Sequence, residues 1–202
     1  MVVVRYMTGL SYAADLGAAY MMRTAGAVKL NLGCGEYSLG PDWLNIDAVP
    51  TSASNLVLTV PPLPWPDGSV DEVYCGHFLE HLDRPQGAAL LAECFRVMTP
   101  GASIGIVVPD FHEIARRYVM EADAPFEWAD GTHDMTDLDE LCHYLLFSTC
   151  QPSHHLWAYD LTTLGRALER AGFVLTREID RFSDPRLSTP RWYQCGWEAS
   201  KP

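Results

Sequence analysis

Long apolar runs are missing from this sequence. None approaches the ~20 residues that are needed to cross a bilayer. No N-terminal stretch combines a basic head, an apolar core and a small-residue cleavage site, so we expect neither a secretory leader nor a membrane span. None of the six cysteines forms a Cys-x-x-Cys pair, which argues against a zinc ribbon or a disulfide framework. We therefore expect a reduced, cytoplasmic protein.

Lys and Arg are absent between Tyr118 and Ala158, whereas eight acidic residues fall in that segment. The whole chain carries 14 Lys and Arg against 26 Asp and Glu, a formal net charge of −12. Nucleic-acid binding depends on cations that neutralise phosphates, so the charge disfavours DNA and RNA as partners. A solvated acidic surface without a binding role stays open as the alternative.

A glycine turn between two apolar runs is the most informative feature that is present. The first run ends at Leu32 and predicts a buried strand; Gly33 and Gly35 then allow a tight turn and close approach of a ligand to the backbone. The second run ends in Asp47. In open α/β sheets ligands bind beyond the carboxyl ends of strands, so this pair can hold a nucleoside, with Asp47 accepting from ribose hydroxyls. The dinucleotide fingerprint wants a third glycine where Ser38 stands, and a purely structural turn remains the alternative.

Four segments along the chain carry a family resemblance: Leu32–Gly35, Trp43–Asp47, Pro64–Asp71 and His77–Leu82. In this order they resemble the nucleotide-fold methyltransferases that use S-adenosylmethionine, in particular the small type 11 kind. The resemblance covers about residues 28–110, with a weaker similarity at 155–180.

The resemblance, together with seven predicted strand segments, implies a Rossmann-like α/β fold. We expect a doubly wound, mostly parallel, seven-stranded sheet with flanking helices in a single domain, 1–202. Within it, residues 1–27 are expected to form an N-terminal helical arm and residues 121–159 an acidic lid, because long connections in compact domains are usually lids or binding segments.

The implied methyl donor is S-adenosyl-L-methionine, with S-adenosyl-L-homocysteine as the product. Leu63 lies near the position at which family members often carry an acidic contact to adenine. The residues expected to contact the cofactor lie at predicted strand ends: Asn31, Gly33, Cys34, Gly35, Asn45, Asp47, Leu63, Gly76 and His77.

The segment from His77 to His81 also spells His-x-x-Glu-His, the inverted zinc-protease motif. On a helix these two histidines lie one turn apart and can chelate zinc, with Glu80 as the base. A zinc hydrolase is therefore the alternative from another reaction class, although it leaves the glycine turn unexplained. We expect His81 to be buried and no metal site to be required, while Mg²⁺ beside Asp and His side chains stays open.

Methyl transfer to an alcohol needs a group that takes the hydroxyl proton, and His or a carboxylate is suited. The candidates are His77, Asp110, His143 and His155. His155 opens a His-x-Trp-x-Tyr-Asp element similar to one in family members linked to sugar polymers.

The aromatic and polar side chains around this element suit a sugar, because rings stack on sugar faces and polar groups bond hydroxyls. The substrate-binding candidates are His133, His154, Trp157 and Tyr159. We expect O-methylation of an oligosaccharide or polysaccharide precursor, and family analogy suggests a mannose-type sugar. The alternatives are a carboxylate or phenolic, lipid-like acceptor, or a non-enzymatic module that binds the nucleoside; a monomer or homodimer is expected.

Overall fold

The computed structural model describes residues 26–120, 126–127, 134–135, 154–180 and 193–202. The expected N-terminal arm falls almost wholly outside this part of the chain, as do most of the expected acidic lid and its His133 and His143. Within the described ranges, no helix has the length and apolar character that a membrane crossing requires.

The described strands are β1 Lys29–Leu32, β2 Leu44–Asp47, β3 Leu56–Val57, β4 Val70–Gly76, β5 Met98–Pro109, β6 Phe126–Glu127, β7 Asp134–Met135, β8 Val174–Ile179 and β9 Gln194–Ser200. Seven of them form the central sheet, in the order β3-β2-β1-β4-β5-β9-β8, and β6 and β7 form a separate antiparallel pair. Neighbours among β1 to β5 are parallel, and β9 runs antiparallel to β5 and β8. The predicted Rossmann-like sheet is therefore confirmed, with flanking helices.

The order of the strands reverses between β1 and β4, which places a crevice at their carboxyl ends. Register pairs Leu32 of β1 with Ile46 of β2 and with Cys75 of β4. The residues that directly follow these positions, Gly33, Asp47 and Gly76, consequently meet at one edge of the sheet.

Three helices flank the described strands: α1 Arg84–Val97, α2 Phe111–Met120 and α3 Leu161–Arg170. Asp83 and Asp160 each cap the start of a helix within a complete capping box. The last residue of α1 is Val97, since Met98 takes extended backbone angles and is fully buried at the start of β5.

One continuous apolar core fills the space between the sheet and helices α1 and α3. Leu30 and Leu32 of β1 are fully buried there, with Leu90 of α1 and Leu168 of α3 packed in the same cluster. Burial of side chains this size is worth about 1.5–3 kcal/mol each. The core therefore fixes the strands whose polar ends form the edge described next.

Candidate functional site

The glycine turn after β1 has two left-handed residues with different surroundings. Gly33 has φ 65° and Gly35 has φ 52°. A Cβ on Gly33 would lie 2.3 Å from Cγ of Phe78. The absence of a side chain at Gly33 therefore lets Phe78, in the segment after β4, pack directly against the turn. A Cβ on Gly35 would meet nothing within 4 Å in the described structure. Gly35 therefore leaves open space above the turn, which a ligand can enter.

Asp47 lies beside this turn, at the end of β2. Its Oδ2 accepts a hydrogen bond from the Gly35 N–H at 2.9 Å, and its Oδ1 accepts one from the Val49 N–H at 3.1 Å. The carboxylate is half-buried, and a carboxylate has about four acceptor positions. Acceptor capacity therefore remains for ribose hydroxyls, so the turn and Asp47 fit the adenosyl group of S-adenosylmethionine.

Asn31 and Asn45 serve the loop between β1 and β2. Asn31 Nδ2 donates to Asn45 Oδ1 at 2.8 Å and to the Tyr37 carbonyl at 3.1 Å, while the Leu39 N–H donates to Asn45 Oδ1 at 3.1 Å. Both side chains are at most 1% exposed. They hold the loop against the sheet, and their predicted direct contact with the cofactor stays a prediction.

Three other predicted cofactor residues, Cys34, Leu63 and Gly76, are buried. The Leu63 N–H donates to Glu93 Oε2 at 2.9 Å, and its carbonyl accepts from Arg96 Nη2 at 2.8 Å. Both polar backbone groups of Leu63 therefore hydrogen-bond to side chains of α1, which leaves Leu63 little hydrogen-bonding capacity for adenine.

His77 lies at the tip of β4 with φ 50°, a left-handed conformation that costs a non-glycine residue energy and often marks a functional site. Its N–H donates to the Val107 carbonyl at 2.8 Å. Its Nε2 lies 3.0 Å from Gln194 Oε1, and its Nδ1 lies 3.3 Å from Glu80 Oε1. Both ring nitrogens of His77 thus lie against neighbouring side chains, so the ring orients Gln194 and Glu80.

Glu80 follows in the 3₁₀ turn Leu79–His81 and is only 2% exposed. Burial alone would raise the pKa of this carboxyl, but the neighbouring histidines, His77 first, outweigh burial and lower the pKa overall. The predicted burial of His81 in a helix is wrong, since the ring is half-exposed at the end of this short turn.

His155 reaches the same place from a distant part of the chain. The N–H groups of Leu156 and Trp157 both donate to the Glu80 carbonyl, at 2.8 and 3.1 Å. The His81 and His155 ring centroids are consequently 4.8 Å apart. Burial lowers the pKa of His155 to about 4, so its imidazole is neutral at pH 7 and a weak proton acceptor.

The other residues of the His-x-Trp-x-Tyr-Asp element divide between surface and core. Trp157 is 40% exposed and lies beneath the Arg84 guanidinium, whereas His154 is exposed. Tyr159 is 6% exposed, and burial raises its pKa to about 12. Tyr159 is thus a core residue rather than a surface for stacking sugars, because its ring packs in the main hydrophobic cluster.

A cavity of about 510 Å³ opens beside His77, at the ends of β5, β8 and β9. Gln194, which contacts His77, is in its wall. Four carboxylates also line it: Asp110, Asp160, Glu178 and Asp180. Asp110 is 7% exposed, and its Oδ1 accepts from the Glu113 N–H at 3.2 Å. Sequence reasoning did not identify this cavity, because the C-terminal strands supply half of its wall.

Comparison with known proteins agrees with this geometry. Residues 30–106 match the sequence family described as a methyltransferase domain. No curated protein matches the chain.

Solved structures that are similar to the chain include an S-adenosylmethionine-dependent methyltransferase from Archaeoglobus fulgidus (TM-score 0.51, 18% identity, 96% of this chain and 95% of that one). Another is the 1,6-didemethyltoxoflavin-N1-methyltransferase of Burkholderia thailandensis, with its substrate and S-adenosylhomocysteine bound (TM-score 0.52, 14% identity, 95% and 77%). A third comes from the complex of the Haloferax volcanii Trm112 methyltransferase activator with a methyltransferase (TM-score 0.52, 14% identity, 96% and 97%).

The enzyme class and the cofactor that the sequence predicted agree with these findings. The sequence match gives the activity and the solved structures give the fold: the chain is a methyltransferase with the Rossmann-like fold of the enzymes that use S-adenosylmethionine.

Proposed function

We propose that this methyltransferase acts on a hydroxyl group of a neutral sugar, such as an oligosaccharide or polysaccharide precursor. The observation that carries the proposal is the polar cavity next to His77, together with the exposed Trp157. Carboxylates accept hydrogen bonds from sugar hydroxyls, and an indole face stacks on a sugar ring.

In this proposal the glycine turn and Asp47 bind the methyl donor. S-adenosylmethionine supplies a methyl group that its positively charged sulfur already activates. Gly35 leaves room for the donor at the sheet edge, and Asp47 has acceptor capacity for its ribose. The main task of the chain is to hold the donor and the acceptor oxygen in line, which is where positioning lowers a barrier most.

Asp110 is the base that fits best among the described candidates. His77 has both ring nitrogens engaged, and neither His77 nor His155 is among the residues that line the cavity. The Asp110 carboxylate lines the cavity and uses Oδ1 in its bond to Glu113. The C–O bond forms as the methyl–sulfur bond breaks, and the hydroxyl proton passes to Asp110.

An amine acceptor is the second candidate. Four carboxylates around one cavity attract a cation as well as they bond hydroxyls. The same charge disfavours the carboxylate acceptors that the sequence left open, since like charges repel at short range.

A screen with methyl-labelled donor separates these acceptors. Neutral mono- and oligosaccharides, including mannose-type ones, are compared with amines and carboxylic acids, and products are identified by mass spectrometry. We expect methyl ethers that survive alkaline hydrolysis. Labelling of amines alone would replace the proposal by the second candidate, and alkali-labile esters alone would contradict both.

A further inference from the structure

Glu80 is a buried carboxylate whose hydrogen-bonding capacity is largely unused. Neither of its side-chain oxygens has a well-formed hydrogen bond in the described structure, and Oε1 has only the 3.3 Å contact with His77 Nδ1. An ionised carboxylate that is 2% exposed is costly unless it is paired or coordinates a metal. The donor site and the acceptor cavity described above do not use it.

Two imidazoles converge on this carboxylate. One ligand atom from each of Glu80, His81 and His155 lies within 4.8 Å of the other two. His81 stands next to Glu80 in the 3₁₀ turn, whereas His155 is brought in by the backbone bonds to the Glu80 carbonyl. Tertiary contacts therefore bring the three side chains together, and their grouping does not result from sequence spacing along one helix.

We propose that Glu80, His81 and His155 form a binding site for one divalent first-row transition-metal ion, with Zn²⁺ as the best match. Two imidazoles and one carboxylate are a common zinc ligand set that leaves a fourth position open. Mg²⁺ prefers oxygen ligands throughout, so it is a poor match.

The surroundings of the three side chains suit metal ligation. His81 Nδ1 lies 3.2 Å from the His154 carbonyl, a contact that holds the hydrogen on Nδ1 and leaves the lone pair on Nε2. The contact with His77 is made to Oε1 of Glu80, and Oε2 has no hydrogen-bond partner in the described structure. The neutral imidazole of His155 is the form that binds metals.

Metal binding requires a small closure. Ligand atoms around a tetrahedral Zn²⁺ are about 3.4 Å apart, given bond lengths of about 2.0–2.2 Å. The present separations of up to 4.8 Å must therefore shorten by roughly 1.4 Å at most, within the reach of half-exposed side chains.

This site differs from the zinc-protease pattern in the sequence. There, His77 and His81 would bind zinc and Glu80 would act as the base. In the structure His77 faces Gln194 and Glu80 instead, and the second imidazole comes from His155. His77 thus becomes the residue that orients the ligating carboxylate.

The site lies one short turn from the donor loop, because Phe78 packs against Gly33. None of the three ligands lines the acceptor cavity. Metal binding therefore does not depend on the proposed function and can be measured without donor or acceptor.

The test is a zinc titration of the full chain after chelator treatment, by competition with a chromophoric chelator, with Co²⁺ absorption as a second readout. We expect one Zn²⁺ per chain and a Co²⁺ spectrum typical of mixed nitrogen and oxygen ligands. Glu80→Gln, His81→Ala and His155→Ala should each weaken binding more than about 100-fold, and His77→Gln about 10–100-fold.

His154→Ala is the matched control, because it removes an exposed histidine next to His155 and should leave zinc affinity unchanged. Thermal unfolding in chelator checks that each variant folds; if Glu80→Gln does not, the two half-exposed histidines carry the test. Wild-type binding no tighter than that of the His81→Ala, His155→Ala double variant would overturn the inference. A chain that binds the methyl donor but no zinc would refute this site and leave the proposed function standing.

Discussion

Gly33 and Gly35 offer a matched pair of substitutions in the loop after β1. Both residues are left-handed, so an alanine at either position costs roughly 1–2 kcal/mol of backbone strain. Their surroundings differ. The new Cβ at Gly33 would lie 2.3 to 2.5 Å from three carbons of Phe78, whereas the one at Gly35 would meet nothing within 4 Å.

The two variants should therefore fail in different assays. Overpacking against Phe78 adds about 1–3 kcal/mol to the cost of Gly33→Ala, so its melting temperature should fall below that of Gly35→Ala by roughly 2–12 °C. Gly35→Ala places its methyl group in the space assigned to the donor, and should lose roughly tenfold in donor affinity for about 1.4 kcal/mol of obstruction.

The assays are thermal unfolding and calorimetric titration with S-adenosylhomocysteine, on the same preparations. A Phe78→Gly background is the control, because it removes the ring and also the Phe78 Cβ, which would lie 2.4 Å from the new methyl group. In that background Gly33→Ala should cost only the backbone strain. Equal melting temperatures for the two glycine variants would refute the packing role of Gly33. Native donor affinity in Gly35→Ala would refute the assignment of the open space.

Three further predictions concern the acceptor side and one helix cap. Asp110→Asn should lower turnover by about 100-fold or more with little change in donor affinity, measured by steady-state kinetics and calorimetry. Trp157→Ala should raise KM for a sugar acceptor by roughly tenfold while kcat changes less, since stacking in binding sites is worth about 1 kcal/mol or more; an unchanged KM would remove Trp157 from the site. Asp160→Ala should cost about 0.5–2 kcal/mol of unfolding free energy at neutral pH. Burial opposes the ionisation of Asp160, but hydrogen bonds from Thr163 lower its pKa overall, so the capping stability is present above pH 3.8 and is lost as the pH falls through the lowered value. Denaturant unfolding should therefore show the gap between wild type and Asp160→Ala closing in acid; a constant gap would contradict the cap.

Local signals in the sequence were enough to predict most of the fold. The pair Asp83 and Gln86 predicts the start of α1, because both halves of a capping box lie within four residues. The meeting of the glycine turn and Asp47 was predicted as well, since the carboxyl ends of parallel strands meet at one edge.

Side-chain partners from distant parts of the chain were beyond such reasoning. Asn31 and Asn45 are polar residues at strand positions where ligands often bind. Their side chains instead hydrogen-bond to each other across adjacent strands and hold a loop. Tyr159 belongs to the core because its segment pairs with Asp110, which no local pattern signals. The convergence of His155 on Glu80 likewise depends on backbone bonds that only the folded chain reveals.

Calorimetric titration of the wild-type protein and of Asp47→Ala with S-adenosylmethionine and S-adenosylhomocysteine tests most directly whether the edge at β1 and β2 holds the donor. We predict one-to-one binding of both ligands to the wild type and a loss of about 10–100-fold in Asp47→Ala, the value of about one hydrogen bond to a charged acceptor. Asp42→Ala, which removes an exposed carboxylate from the nearby loop, should bind like the wild type. Absence of binding to the wild type, or native affinity in a folded Asp47→Ala variant, would contradict this placement.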